Sequence, residues 1–251
     1  MDQLKQNQIN NAAWAACDTF RGVVDAANYK DYILVMLFFK YISDVWKAHK
    51  KECEEKYKDE PSRIQSQLER EDFIIPEGAN FYDIFVQREK SDSIGELINK
   101  ALNEIEQKNL AKLKGVFRNV DFNSEFNLGK TKERNRRLKM LLEDFGKPEL
   151  DLSPDRVNED IIGECYIYLI SLFASDAGKK AGEFYTPTAV STLLAKLAAL
   201  KSGDIICDPA CGSGSLLLRA AKEVGDNNYA LYGQEMNNAT WALAQMNMFL
   251  Y

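Results

Sequence analysis

The run Asp208-Pro209-Ala210-Cys211-Gly212-Ser213-Gly214-Ser215 sets an acid, two glycines and two hydroxyls directly behind a short apolar stretch, residues 204–207. Glycine lacks a Cβ and adopts positive φ, so a glycine turn between a strand and a helix lets backbone N–H groups approach a ligand closely. Asp208 falls where a parallel sheet opens its carboxyl-end crevice, and its carboxylate can accept from an ammonium group. Gly212 and Gly214 let the chain curl, so that N–H groups around Ser213, Gly214 and Ser215, at the positive end of the next helix, suit a carboxylate. Glu235 closes the following strand, where an acid can take hydrogen bonds from both ribose hydroxyls, and Met236 beside it can cover an adenine face. Upstream, Glu183, Phe184, Tyr185, Thr186, Pro187 and Thr188 form an aromatic-then-cap segment. Its rings would pack on an aliphatic chain, with Thr186 capping a helix or bonding a polar end and Pro187 in the first helical turn. Ammonium, carboxylate, ribose and adenine together describe S-adenosylmethionine.

Each part has a plainer alternative: an ordinary helix cap with two core aromatics, or an unremarkable acid at a strand end. Their order and spacing carry the signal. A nicotinamide-dependent dehydrogenase would share the architecture, but its glycine fingerprint needs a third glycine where Leu217 stands.

The elements that must hold these residues alternate in type. A helix is expected over 188–200, a strand over 204–207, a helix over 215–224, a strand over 229–232 and a helix over 238–249. Two strands are few for an open sheet that must bury both faces, so the chain reads as interrupted within its α/β domain, a fragment or interrupted gene product. Before residue 200 no strand is expected. Helical periodicity runs from 10 to 46, broken at Arg21-Gly22, with an apolar run from Tyr32 to Phe39 that reads as a buried helix. Helices are also expected near 94–102, near 134–144 with Leu138, Leu141 and Leu142 inward, and over 161–173, followed by a link at 176–182. Residues 47–67 read as an exposed helix end and loop. Gly146, Pro148 and Pro154 place a boundary near 150, giving a helical domain (1–150) and the start of a Rossmann-like α/β domain (151–251), an α + α/β chain.

The net charge of −6 gives no global attraction to nucleic acid or to an anionic membrane. Locally, Lys130, Lys132, Arg134, Arg136, Arg137 and Lys139 face a single acid, Glu133, which suits phosphate or DNA; the alternative is a solvated helix face. Five scattered cysteines without a Cys-x-x-Cys pair argue against a disulfide framework or zinc knuckle, and Cys207 with Cys211 falls short of four ligands, so no metal is expected. His49 is the only histidine and, in its charged stretch, reads as a solvated residue. The longest apolar run is too short to span a membrane, and the polar N-terminus lacks a secretory pattern, which points to the cytosol.

Acid and proline ahead of the glycines resemble the amino-group DNA methyltransferases. With Arg21-Gly22, Tyr29-Lys30-Asp31 and Leu37-Phe38-Phe39-Lys40-Tyr41-Ile42-Ser43-Asp44, the chain resembles, from about Trp14 onward, the modification subunits of type I restriction–modification systems. The resemblance implies methyl transfer from S-adenosylmethionine to the exocyclic amino group of an adenine flipped out of double-stranded DNA. It also implies assembly with a specificity subunit, a second modification subunit and restriction subunits, and a helical domain that helps enclose DNA. The chain departs from the family at Thr188, often basic in relatives, and at the catalytic Asn- or Asp-Pro-Pro-aromatic element. None of its six prolines adjoins another, so no catalytic residue is assigned and the chain is expected to be inactive alone. A helical assembly or DNA-clamping module without catalysis is the alternative.

Overall fold

The computed structural model describes residues 2–20, 26–58, 60–177 and 185–251. Twelve α-helices and two strands are assigned among them: α1 (Asp2–Ala16), α2 (Ala26–Lys56), α3 (Pro61–Leu68), α4 (Phe81–Gln87), α5 (Ile94–Lys108), α6 (Leu110–Leu113), α7 (Glu125–Leu128), α8 (Thr131–Phe145), α9 (Glu159–Ala177), α10 (Thr188–Leu197), β1 (Ile205–Asp208), α11 (Ser215–Val224), β2 (Ala230–Gly233) and α12 (Asn238–Phe249). No strand precedes β1 among the described residues.

The apolar run of α2 explains the core. Tyr32 to Phe39 are all buried, as expected of a helix that is apolar on every side and therefore surrounded by other helices. Helix α9 is its counterpart: Tyr166, Leu169, Ile170 and Phe173 are buried, and Phe173 meets Tyr29 edge-on at 5.6 Å and Trp14 at 5.8 Å. Although α9 lies beyond position 150, it packs between α1 and α2. α12 joins the same core, its Phe249 ring 5.3 Å from Phe73. On α8, Leu138, Leu141 and Leu142 are the inward set.

One buried polar group ties α2 to α4 and to the segment leading to α9. Lys40 and Asp44 form an i,i+4 ion pair with both side chains enclosed. Asp44 also accepts from Tyr82 Oη at 2.6 Å and from the Leu152 backbone N–H at 2.8 Å. Three donors on two carboxylate oxygens keep the buried charges matched.

β1 and β2 pair in parallel, Ile205 with Ala230 through Asp208 with Gly233, joined by α11. α10 packs on α11. With two strands the sheet leaves apolar side chains in water: Val190, Leu193, Leu194, Leu197, Ile205 and Tyr232 are exposed.

Three local expectations are corrected. The charged segment after Lys47 is mostly helical, because α2 continues to Lys56 and Pro61 starts α3, where its missing N–H costs nothing. His49 is half-buried, with Nδ1 2.6 Å from Glu71 Oε2, because α2 lays it against the loop before Phe73. Thr186 does not cap α10: Pro187, with ψ 136°, holds the N-cap position, and Tyr185 Oη accepts from Thr188 N at 3.2 Å. Arg21-Gly22 lies outside the described residues, as does most of the link expected at 176–182.

Candidate cofactor site

Asp208 ends β1, and its Oδ1 accepts from Ala210 N at 3.0 Å, which turns the chain sharply. Gly212 (φ +58°) and Gly214 (φ +80°) are left-handed, the conformation that favours glycine, and Gly214 is the N-cap of α11. The turn is sewn to the end of β2 by Gln234 N donating to Asp208 O and Cys211 N donating to Gln234 O, both at 2.9 Å.

Glu235 adds two further links. Its Oε2 accepts from Gly212 N at 3.1 Å and its Oε1 from Asn237 N at 2.7 Å. The acid thus bridges the glycine turn and the start of α12, where Asn237 Oδ1 caps Ala239 and Thr240. Each carboxylate oxygen has a second lone pair, so a ribose hydroxyl can be accepted without releasing these bonds.

The structure brings together Asp208, Gly212, Gly214 and Glu235. It turns the hydroxyls of Ser213 and Ser215 inward: both residues are buried and their Oγ atoms are 2.9 Å apart. Gly214 N donates to Cys211 O at 2.8 Å. The expectation of N–H groups around these three residues gripping a carboxylate therefore loses the Gly214 donor, because the turn closes on itself. Met236 is 94% exposed and covers nothing among the described residues. Tyr185 packs at the margin of the helical core and bonds Thr188, and among the described residues 185–188 make no hydrogen bond to Asp208 or Glu235. Glu183 and Phe184 lie outside the described residues.

Two contributors escaped the sequence. Asn247 is fully buried on α12 and its Nδ2 donates to Ser213 O at 2.9 Å, holding the turn from behind; an amide within an apolar helical stretch was the available signal. Cys211 lies at the centre of the site. Burial raises its thiol pKa, and the charges of Asp208 and Glu235 raise it further, so both carboxylates act on the middle of the turn. A crevice with that field suits a cation such as a sulfonium or an ammonium.

The six cations of the basic run separate into two groups. Arg134 is buried and its Nη1 donates to Gly129 O at 3.4 Å; Arg137 Nη1 donates to Leu128 O at 2.6 Å; Lys139 pairs with Glu89. Lys130 and Lys132 are exposed and form no ion pair among the described residues, while exposed Arg136 pairs with Glu133 at 3.1 Å. Among the described residues no group of three or more metal-ligating side chains occurs, and no helix is long and apolar enough to cross a membrane.

Known proteins resemble this chain along nearly its whole length. Residues 9–145 match the family model for the HsdM N-terminal domain, and residues 157–251 match that for N-6 DNA methylases. The type I restriction enzyme MpnII methylase subunit of Mycoplasma pneumoniae is 32% identical over 98% of this chain and 50% of its own length. The MjaIX methylase subunit of Methanocaldococcus jannaschii is 27% identical over 97% and 45%. The crystal structure of a type I restriction-modification system methyltransferase subunit from Streptococcus thermophilus superposes with a TM-score of 0.79 at 28% identity, over 98% of this chain and 56% of that one. The chain thus spans about half the length of the curated relatives it matches. With the helical-domain model covering more than half of its residues and the methylase model most of the rest, the chain belongs to the methylase (modification) subunits of type I restriction–modification systems.

Proposed function

We propose that residues 205–237 bind S-adenosylmethionine and that the chain serves an adenine-specific DNA methylase assembly. In this reading residues 1–150 face DNA and partner subunits, and residues 151–251 begin the methylase domain. One observation carries the cofactor assignment: Glu235 joins the glycine turn to the end of β2, so two carboxylates converge on one crevice at the carboxyl end of a parallel sheet.

Within that crevice Asp208 takes the ammonium of the cofactor, Gly212 and Gly214 let its main chain lie close, and Glu235 accepts from the ribose. When bound, S-adenosylmethionine supplies a methyl group already made electrophilic by its sulfonium. The chain's own residues orient that group and place negative charge around the cation. Presenting the exocyclic amino group of a flipped adenine is the task of an Asn/Asp-Pro-Pro-aromatic element, which residues 1–251 do not contain. The chain is therefore proposed to bind cofactor without methylating by itself. A specificity subunit, a second modification subunit, restriction subunits and double-stranded DNA are its proposed partners.

Calorimetry with S-adenosylmethionine tests the assignment. Wild type should bind, Asp208→Ala and Glu235→Ala should not, and a nicotinamide dinucleotide should give no heat. Equal binding by wild type and both variants would remove these residues from the site.

A further inference from the structure

Phe126 is 95% exposed, the most open large apolar side chain among the described residues. It sits on α7, a single turn held from several directions. Ser124 Oγ accepts from Asn127 N at 3.2 Å, Asn127 Nδ2 donates to Tyr32 Oη at 3.1 Å, and Leu128 is fully buried. Arg137 and Arg134 bind the Leu128 and Gly129 carbonyls. An aromatic ring on a loose loop can fold back and recover burial energy of about 1.5–3 kcal/mol; a ring on a turn pinned at its backbone stays in water.

The segment that follows the ring in sequence is cationic. Gly129 (φ +85°) reverses the chain into α8, so Lys130 and Lys132 follow the ring directly and Arg136 lies one turn on. Residues 108–139 hold ten basic side chains against three acids in a chain whose net charge is −6. Of the acids, Glu133 is paired with Arg136 across an exposed bridge, a weak contact that a phosphate can replace. Glu125, beside the ring, opposes the pattern. A protein-docking surface would surround the ring with further apolar side chains, whereas its sequence neighbours here are Glu125, Asn127 and, across Gly129, Lys130.

We propose that Phe126 is a wedge for duplex DNA: the ring enters a groove against a base step while Lys130, Lys132 and Arg136 take the flanking phosphates. Arg134 and Arg137 are positioning residues that lock the turn presenting the ring. The inference rests on the DNA-facing reading of the helical region and adds to it a specific apolar contact.

Fluorescence anisotropy of the full chain on a labelled duplex, over a series of salt concentrations, separates the two. Phe126→Ala should weaken binding roughly tenfold and leave the salt slope unchanged, because a stacking contact is lost and no phosphate contact is. Lys130→Gln with Lys132→Gln should lower the slope by about 2. Phe126→Trp should retain affinity and lose indole fluorescence on adding duplex. Wild-type affinity in Phe126→Ala would overturn the wedge while leaving the DNA-facing reading intact. Absence of salt-dependent binding by wild type would overturn both. Loss in Phe126→Ala of association with a specificity subunit, with duplex binding unchanged, would assign the ring to a protein contact instead.

Discussion

Glu235 Oε2 accepts the Gly212 backbone N–H at 3.1 Å, although the two residues stand twenty-three positions apart. The acid thereby acts first on its own protein, setting the glycine turn at a fixed distance from β2.

The same field makes Cys211 a reporter. Burial and the charges of Asp208 and Glu235 hold its thiol above the ordinary value, so it should alkylate slowly at neutral pH. Removing one charge with Glu235→Gln should speed labelling of Cys211, and S-adenosylmethionine should slow it, both read by mass spectrometry of the labelled peptide. Unchanged labelling in Glu235→Gln would show that the carboxylate does not act on the thiol.

Gly214→Ala should destabilise the chain. A Cβ there would lie 2.6 Å from Met248 Cε, a flexible tip that can move, so the left-handed φ of +80° decides the cost at ~1–2 kcal/mol. A lowered midpoint in urea denaturation checks it, and Met248→Ala in the same background should restore little.

Asp44→Ala removes the partner of a buried ammonium and an acceptor used by Leu152 N and Tyr82 Oη. The expected loss is about 3–5 kcal/mol by chemical denaturation. Lys40→Met with Asp44→Leu, which leaves no charge uncompensated, should lose much less. Equal losses would show that hydrogen bonds to Asp44, not charge matching, dominate.

Glu164 accepts from Nη1 and Nη2 of Arg219 at 3.1 Å, from Lys222 Nζ at 2.8 Å and from Tyr251 Oη at 2.9 Å. Burial pushes its carboxyl up, but the Lys222 hydrogen bond and the charges of Arg219 and Lys222 outweigh it, leaving the folded pKa below the ordinary 4.5. A depressed carboxyl stabilises fully above its unfolded value and loses that contribution as pH falls through the folded one. Glu164→Gln should therefore cost ~1–2 kcal/mol at neutral pH, and the gap from wild type in melting temperature should close only below pH 4.5.

The open face of α10 and the sheet should make the isolated chain self-associate. Leu193→Gln with Leu197→Gln should shift it towards monomer in sedimentation velocity, since those side chains are exposed and support no described core contact.

Sequence alone determined what local chemistry dictates. The apolar run around Phe38 had to be a buried helix, Leu138, Leu141 and Leu142 had to face inward, and the strand, glycine turn, helix and strand around Asp208 and Glu235 followed from periodicity and φ requirements. Helix bounds 215–224 and 238–249 were readable because Gly214 and Gly225 punctuate one helix and Asn237 caps the other. Tertiary structure alone decided how polar groups are shared over long separations. Arg134 and Arg137 look like their exposed neighbours in sequence, yet packing of α8 on α7 turns them onto backbone carbonyls and leaves Phe126 in solvent. Asp44 reaches Leu152 N across 108 positions, and half-buried His49 meets Glu71 across 22. A side chain's partner is set by which surfaces the apolar core brings together, and that depends on every helix at once, whereas a helix or turn is set by about ten neighbouring residues.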